Sequence, residues 1–143
     1  MKIKRFIIAS DHAGFRLKEL IKKYLIKKRK KVLDLGTKNS KSVDYPDFAH
    51  SLSKKMKNGN SQFGILICGS GIGMDMTANK HKNIRAAHCY NVKSARLSRQ
   101  HNNANVITIG ARLTKKNVAL KCVSTFIKTK FEGGRHLRRI KKI

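Results

Sequence analysis

Five short apolar runs, separated by segments of helical periodicity, constrain this chain more than any other feature. Residues 5–10, 32–36, 63–68, 84–89 and 106–110 each read as a buried strand. Between them, Phe15, Leu17, Leu20, Ile21, Tyr24 and Leu25 recur at helical spacing, and Phe48, Leu52 and Met56 lie four apart. Further helices are predicted over 74–80, 92–102 and about 115–128. Strands that alternate one for one with helices pair in parallel through right-handed crossovers, with helices on both faces. The pattern therefore predicts an α/β fold: a three-layer α/β/α sandwich around a Rossmann-like five-stranded parallel sheet, in one domain spanning 1–143. The polar stretch 37–46 reads as a loop. Asn58-Gly59-Asn60 ends the second helix, and Phe131-Glu132-Gly133-Gly134 breaks the last long one before a basic tail.

A chain of 143 residues can bury a sufficient core without disulfide or metal staples. Cys68, Cys89 and Cys122 are widely spaced, with no Cys-x-x-Cys pair, which indicates neither a disulfide framework nor a zinc site. Reduced thiols fit the cytosol. The basic start, Met1-Lys2-Ile3-Lys4-Arg5, is followed by an apolar run too short for a secretory signal, and no segment is long enough for a membrane span, so the expected address is cytoplasmic. Thirty-four Lys and Arg against seven Asp and Glu give a net charge of +27, which attracts polyanions at low salt. The longest basic run, 27–31, closes a predicted helix, where cations suit the negative end of the macrodipole. We therefore read the charge as a solvated surface rather than a specific nucleic-acid site. Carboxylates are scarce enough for their places to be informative: Asp11 and Asp75 lie beside the two loops described next, and Glu132 opens the C-terminal motif.

In open α/β sheets, ligands sit beyond the carboxyl ends of the strands. The first strand runs into Asp11-His12-Ala13-Gly14, and the third ends in Cys68-Gly69-Ser70-Gly71-Ile72-Gly73-Met74. The second loop lacks the Gly-Lys-Ser/Thr of a P-loop and the spacing of a dinucleotide fingerprint. What remains is a run of backbone N–H groups entering a helix, suited equally to phosphate, carboxylate or an enediolate oxygen. That position favours the thiolate of Cys68 as a base or nucleophile, but the loop alone leaves a buried, inert thiol equally open. His12 and His101 are acid–base candidates, whereas His81, His88 and His136 have no partner at metal-ligand spacing. His101 lies in a polar cluster, 98–105, expected to point toward the carboxyl edge of the sheet. Arg135 and Arg139 are four apart, so a helical tail makes them a phosphate clamp and an irregular one a solvated end.

Together the segments resemble the ribose-5-phosphate isomerase B family, with its galactose-6-phosphate and allose-6-phosphate relatives, over nearly the whole chain. The resemblance rests on Ser10-Asp11-His12-Ala13-Gly14-Phe15, Asp44-Tyr45-Pro46, the loop from Cys68 to Met74, Ala78-Asn79-Lys80, Ile84-Arg85-Ala86-Ala87, Ser94 to Arg99, His101-Asn102, Ala104-Asn105-Val106, Gly110-Ala111-Arg112 and Phe131 to His136. It implies aldose–ketose isomerisation of ribose 5-phosphate and ribulose 5-phosphate, the non-oxidative pentose phosphate reaction, through an enediolate and without metal or organic cofactor. By that resemblance Cys68 is the base, Ser70 assists proton transfer, and the amides of Gly69, Gly71, Ile72 and Gly73 hold the enediolate. His101 opens the sugar ring, and Asp11, Tyr45 and Asn102 contact sugar hydroxyls. His12, Arg112, Arg135 and Arg139 hold the phosphate. The tail, about 131–143, reaches the partner subunit in an obligate homodimer, with pairing into tetramers a further option. An isomerase of a phosphorylated hexose is the alternative reading, and a basic nucleic-acid-binding protein on the same fold ranks below it. One branch of the family carries glutamate at the end of the glycine loop, where this chain has Met74. Asp75 stands where serine is expected, placing beside the loop a carboxylate that disfavours a thiolate. His88 and Tyr90 receive no role.

Overall fold

The structure, a computed structural model, describes residues 5–56 and 62–143. Strands β1 (Arg5–Ser10), β2 (Lys31–Asp34), β3 (Gln62–Cys68), β4 (Ala86–His88) and β5 (Val106–Gly110) form one sheet in the order β2-β1-β3-β5-β4, with every neighbouring pair parallel. Helices α1 (Phe15–Lys27), α4 (Val92–Gln100) and α5 (Lys116–Lys128) pack on one face, α2 (Tyr45–Lys55) and α3 (Ile72–Ala78) on the other. A short helix, α6 (Arg135–Ile140), follows the Glu132-Gly133-Gly134 break. The predicted α/β sandwich and its parallel five-stranded sheet are thus present. Among the described residues no helix is long and apolar enough to cross a membrane.

Side chains alternate across a strand, so two apolar clusters form from one set of strands. Phe6 and Ile8 of β1 join Leu17 and Ile21 of α1 and Phe126 of α5, whereas Ile7 and Ala9 join Ala49 and Leu52 of α2 and Met74 of α3. On β3 the same alternation sends Phe63, Ile65 and Ile67 to the first cluster and Leu66 and Cys68 to the second. The thiol therefore faces α2 and α3 by strand parity alone.

Several boundaries differ from the sequence reading. The loop expected over 37–46 ends earlier, because Tyr45 and Pro46 already form the first turn of α2, where proline's missing N–H has no role. β4 keeps only three residues, and its edge is finished by Asn79, which accepts from the Ala86 N–H (2.8 Å) and donates to the Ala86 carbonyl (3.0 Å). α4 stops at Gln100 with His101 as its C-cap, and Asn91 with Ser94 builds a capping box at its start. The tail is helical from Arg135 to Ile140, the condition under which Arg135 and Arg139 share a face. Asn58-Gly59-Asn60 lies outside the described residues.

A helix that follows a strand carries the chain back to the sheet's amino edge, and residues 101–105 lead directly into the first residue of β5, which is paired with Gly64 near the start of β3. His101 and the polar cluster 98–105 therefore sit at the amino edge, not the carboxyl edge.

The α1–β2 corner is held by four charges. Lys18, fully buried, donates to Asp34 (2.7 Å) and Glu19 (2.9 Å), and Lys22 repeats both contacts at the same distances. Hydrogen bonding from Lys18 holds the Glu19 carboxyl below its usual range; burial pushes Asp34 up, but both lysines and the Gly36 amide outweigh it and leave it low. Since folding lowers both values, the stability they contribute is present above about pH 4 and fades as pH falls through the lowered folded-state values. Lys18→Ala should lower the unfolding free energy by about 2 kcal/mol at pH 7, less than for a fully buried pair because Lys22 and solvent still reach both carboxylates. Urea unfolding of wild type and variant at pH 7 and pH 3 checks this: the difference should shrink at pH 3.

Candidate active site

The chain turns from β1 to β2 on one side and crosses to β3 on the other, so the carboxyl ends of β1 and β3 flank the point where strand order reverses. A cleft of about 540 Å³ opens there, lined by Asp11, Tyr45, Cys68, Gly69, Ser70, Ile72, Gly73, Met76, Arg112 and Leu113. Asp11 is buried after β1, its Oδ1 accepting from the Gly14 N–H at 3.0 Å, which fixes the carboxylate in place. His12 follows outside the lining; its Nδ1 accepts from the Val43 N–H (3.2 Å), so the neutral ring carries its proton on Nε2. Arg112, just past β5, is tied to the loop by its own N–H donating to the Gly69 carbonyl at 2.9 Å.

Cys68 ends β3 with 4% of its surface exposed, and its Sγ accepts from the Gly71 N–H at 3.1 Å. Ser70 Oγ accepts from the Ile72 N–H at 3.2 Å. Two of the loop amides are therefore taken up by the thiol sulfur and the hydroxyl oxygen, which fixes both groups against the turn. This turn needs glycine at two places. Gly71 has φ +79, in the left-handed region, and a Cβ at Gly73 would lie 2.5 Å from the Tyr45 ring. Tyr45, the first residue of α2, thus packs its ring on the first turn of α3 and forms one wall of the cleft.

His101, Asn102, Arg135 and Arg139 do not line the cleft. His101 caps α4 at the opposite edge, its ring stacked on that of His136 with centroids 4.3 Å apart and planes 10° from parallel. Glu132 Oε2 lies 3.5 Å from His136 Nε2 and 4.0 Å from His101 Nε2. Burial, with His101 and Arg135 nearby, holds His136 below the usual imidazole range against the opposing pull of Glu132. The sequence reading left His136 without a partner; its contact with Glu132 spans the positive-φ turn at Gly133 and Gly134 that precedes α6. The three residues offer ligand atoms within 4.8 Å of one another, but parallel rings send their lone pairs along parallel planes rather than to one point. The arrangement suits proton handling better than a metal. Asn102 lines a separate depression with Asn79, Arg85 and Ile143. Met76 and Leu113, 67% and 69% exposed, were not foreseen as lining residues; Met76 lies one helical turn beyond Ile72.

The family model described as Ribose/Galactose Isomerase matches residues 6–143. The chain belongs to the ribose/galactose isomerase family. A Mycoplasma genitalium relative named probable ribose-5-phosphate isomerase B is 47% identical over 138 residues, covering 95% of this chain and 91% of the relative. One from Rickettsia bellii, 44% identical over 143 residues and covering 100% of this chain and 99% of the relative, is named no more finely than a sugar phosphate isomerase. The crystal structure of ribose-5-phosphate isomerase B from Mycoplasma genitalium with bound ribulose-5-phosphate superposes with a TM-score of 0.94 at 46% identity, over 96% of this chain and 92% of that one. The protein is an isomerase of this family, with the Rossmann-like α/β fold of its relatives.

Burial also separates the three thiols of this isomerase. It pushes Cys89 up to about 12 and raises Cys122 as well, and both are fully buried. Iodoacetamide at neutral pH should therefore label Cys68 in the folded protein and spare the other two, while guanidinium exposes all three. Peptide mass spectrometry reads the pattern; labelling of Cys89 as fast as Cys68 would contradict it.

Proposed function

We propose that this isomerase interconverts D-ribose 5-phosphate and D-ribulose 5-phosphate through an enediolate, at sites each completed by two copies of the chain. The carrying observation is the single cleft at the β1/β3 switch point, which brings together a thiol, a loop of amides, a buried carboxylate and an arginine. The C2 proton of an aldose is weakly acidic, so isomerisation needs a close base and donors for the oxygen that becomes negative. Cys68 as thiolate takes the C2 proton, the 69–73 amides hold the enediolate, Ser70 assists passage of the O2 hydroxyl proton to O1, and the proton held by Cys68 returns to C1. Asp11 and Tyr45 hold sugar hydroxyls, and Arg112 with His12 holds the phosphate. The bound ribulose-5-phosphate of the Mycoplasma genitalium structure supports the substrate class.

In this reading His101 is the acid that opens the furanose, and it comes from a second chain. It lies at the amino edge of the sheet, while the cleft lies at the carboxyl edge, roughly 15 Å away along β5 at about 3.3 Å per residue. Asn102, Arg135 and Arg139 belong to the same edge and travel with it. The cleft rim is apolar and exposed at Ile72, Met76 and Leu113, a surface suited to burial against a partner. Arg112 of one chain and the tail arginines of the other repel each other until a phosphate dianion lies between them.

Purified protein in chelator should convert ribose 5-phosphate with a higher kcat/KM than allose 6-phosphate, and Cys68→Ala should lower kcat by about 10² to 10⁴. A preference for the hexose would reverse the substrate assignment. Mixing inactive Cys68→Ala with inactive His101→Ala under subunit exchange should restore about a quarter of wild-type activity, since half of the dimers are mixed and each holds one intact site. Exchange demonstrated by mass, with no activity regained, would refute the shared site.

A further inference from the structure

Beneath the glycine turn lies a polar chain that the packing of the sheet does not require. Thr108, fully buried on β5, occupies the α2/α3 face between β3 and β4, at a position where alternation calls for an apolar side chain and where its neighbours in register are Leu66 and His88. Its Oγ1 donates to Asp75 Oδ1 on α3 at 2.9 Å and lies 3.4 Å from His88 Nδ1 on β4. An ionised carboxylate only accepts, so the single hydroxyl proton goes to Asp75, and the remaining contact is His88 Nδ1–H donating to Oγ1. The His88 ring in turn supports the loop: a Cβ at Gly71 would lie 2.7 Å from its Cε1. Gly71 is the residue whose N–H holds Cys68 Sγ.

Replacing such a buried polar set by apolar residues of similar volume is commonly neutral or stabilising, so packing gives no reason for it. Three residues on three separate elements, α3, β4 and β5, converge on one turn of the catalytic loop. We propose that Asp75, Thr108 and His88 are positioning residues: the carboxylate orders the Thr108 hydroxyl, the hydroxyl orders the His88 ring, and the ring sets the Gly71 turn that aims its N–H at Cys68. Asn79 Nδ2 (3.4 Å) gives Asp75 Oδ2 a second, weaker partner, so the carboxylate is held from both sides. Burial raises the Asp75 carboxyl against the opposing pull of Thr108, His88 and Asn79. Asp75, expected from the sequence to bear directly on the thiol, instead acts on it through the loop.

The consequence for catalysis rests on Cys68 being the base, so the test has readouts with and without turnover. Nitrogen-15 spectra of His88 in the whole protein should show the Nδ1–H tautomer, and Thr108→Val should convert the ring to the Nε2–H form. His88→Val should lower kcat about tenfold with KM changed less than twofold, because the turn serves proton transfer rather than phosphate binding. His88→Asn, which keeps an N–H where Nδ1 stood, should recover most of that loss. The same substitutions should change the rate at which iodoacetamide labels Cys68, whatever sugar phosphate the enzyme prefers. Wild-type labelling and kcat in His88→Val would overturn the proposal, as would an unchanged His88 tautomer in folded Thr108→Val. If Thr108→Val does not fold, the comparison of His88→Val with His88→Asn decides alone, since His88 lies half-buried on an edge strand.

Discussion

Everything chemical in this molecule depends on two parallel strands lying side by side while the chain leaves them in opposite directions. β1 sends its crossover to β2 and β3 sends its own past β5 to β4, so the two crossovers leave the gap between their carboxyl ends on opposite sides. Into that gap project the residues immediately after each strand, Asp11 from one and the Cys68–Gly73 loop from the other. Strand parity then settles which way Cys68 faces, and the absence of a Cβ at Gly73 lets Tyr45 close the wall.

The same winding separates His101 from Cys68. Every helix in such a fold returns the chain to the amino edge, so α4 delivers His101 and α5 delivers Glu132 and α6 to the far side of the sheet from Cys68. Within one chain His101 and the Cys68 cleft lie at opposite edges of the sheet, and the proposed shared site joins them across two copies of the chain. On that proposal assembly is a catalytic requirement rather than an accessory to stability, and the exposed apolar rim and the tail arginines share a purpose.

Much of this was legible in the residues. Alternating periodicities gave the sheet, its parallel sense and the five strands, and Cys68-Gly69-Ser70-Gly71 marked the loop because glycines and a thiol at a strand end have few other uses. Helix direction was not legible from periodicity, which reports a buried face but not the edge at which a helix ends; His101 was misplaced for that reason. His136 was missed because its pairing with Glu132 depends on the positive-φ turn at Gly133-Gly134, which periodicity does not report. Thr108 read as one more strand residue, since threonine has strand propensity, and only its contacts with Asp75 and His88 set it apart.

We propose that Cys68 moves a proton at C2 within this cleft. The most direct measurement is isomerisation of ribose 5-phosphate in deuterium oxide, with deuterium located by NMR in product and in recovered substrate. A thiolate exchanging with solvent through an enediolate predicts deuterium at C1 of ribulose 5-phosphate and at C2 of returned ribose 5-phosphate, both abolished in Cys68→Ala. Rapid turnover with hydrogen passing from C2 to C1 and no deuterium gained, retained in the Cys68→Ala variant, would contradict the account.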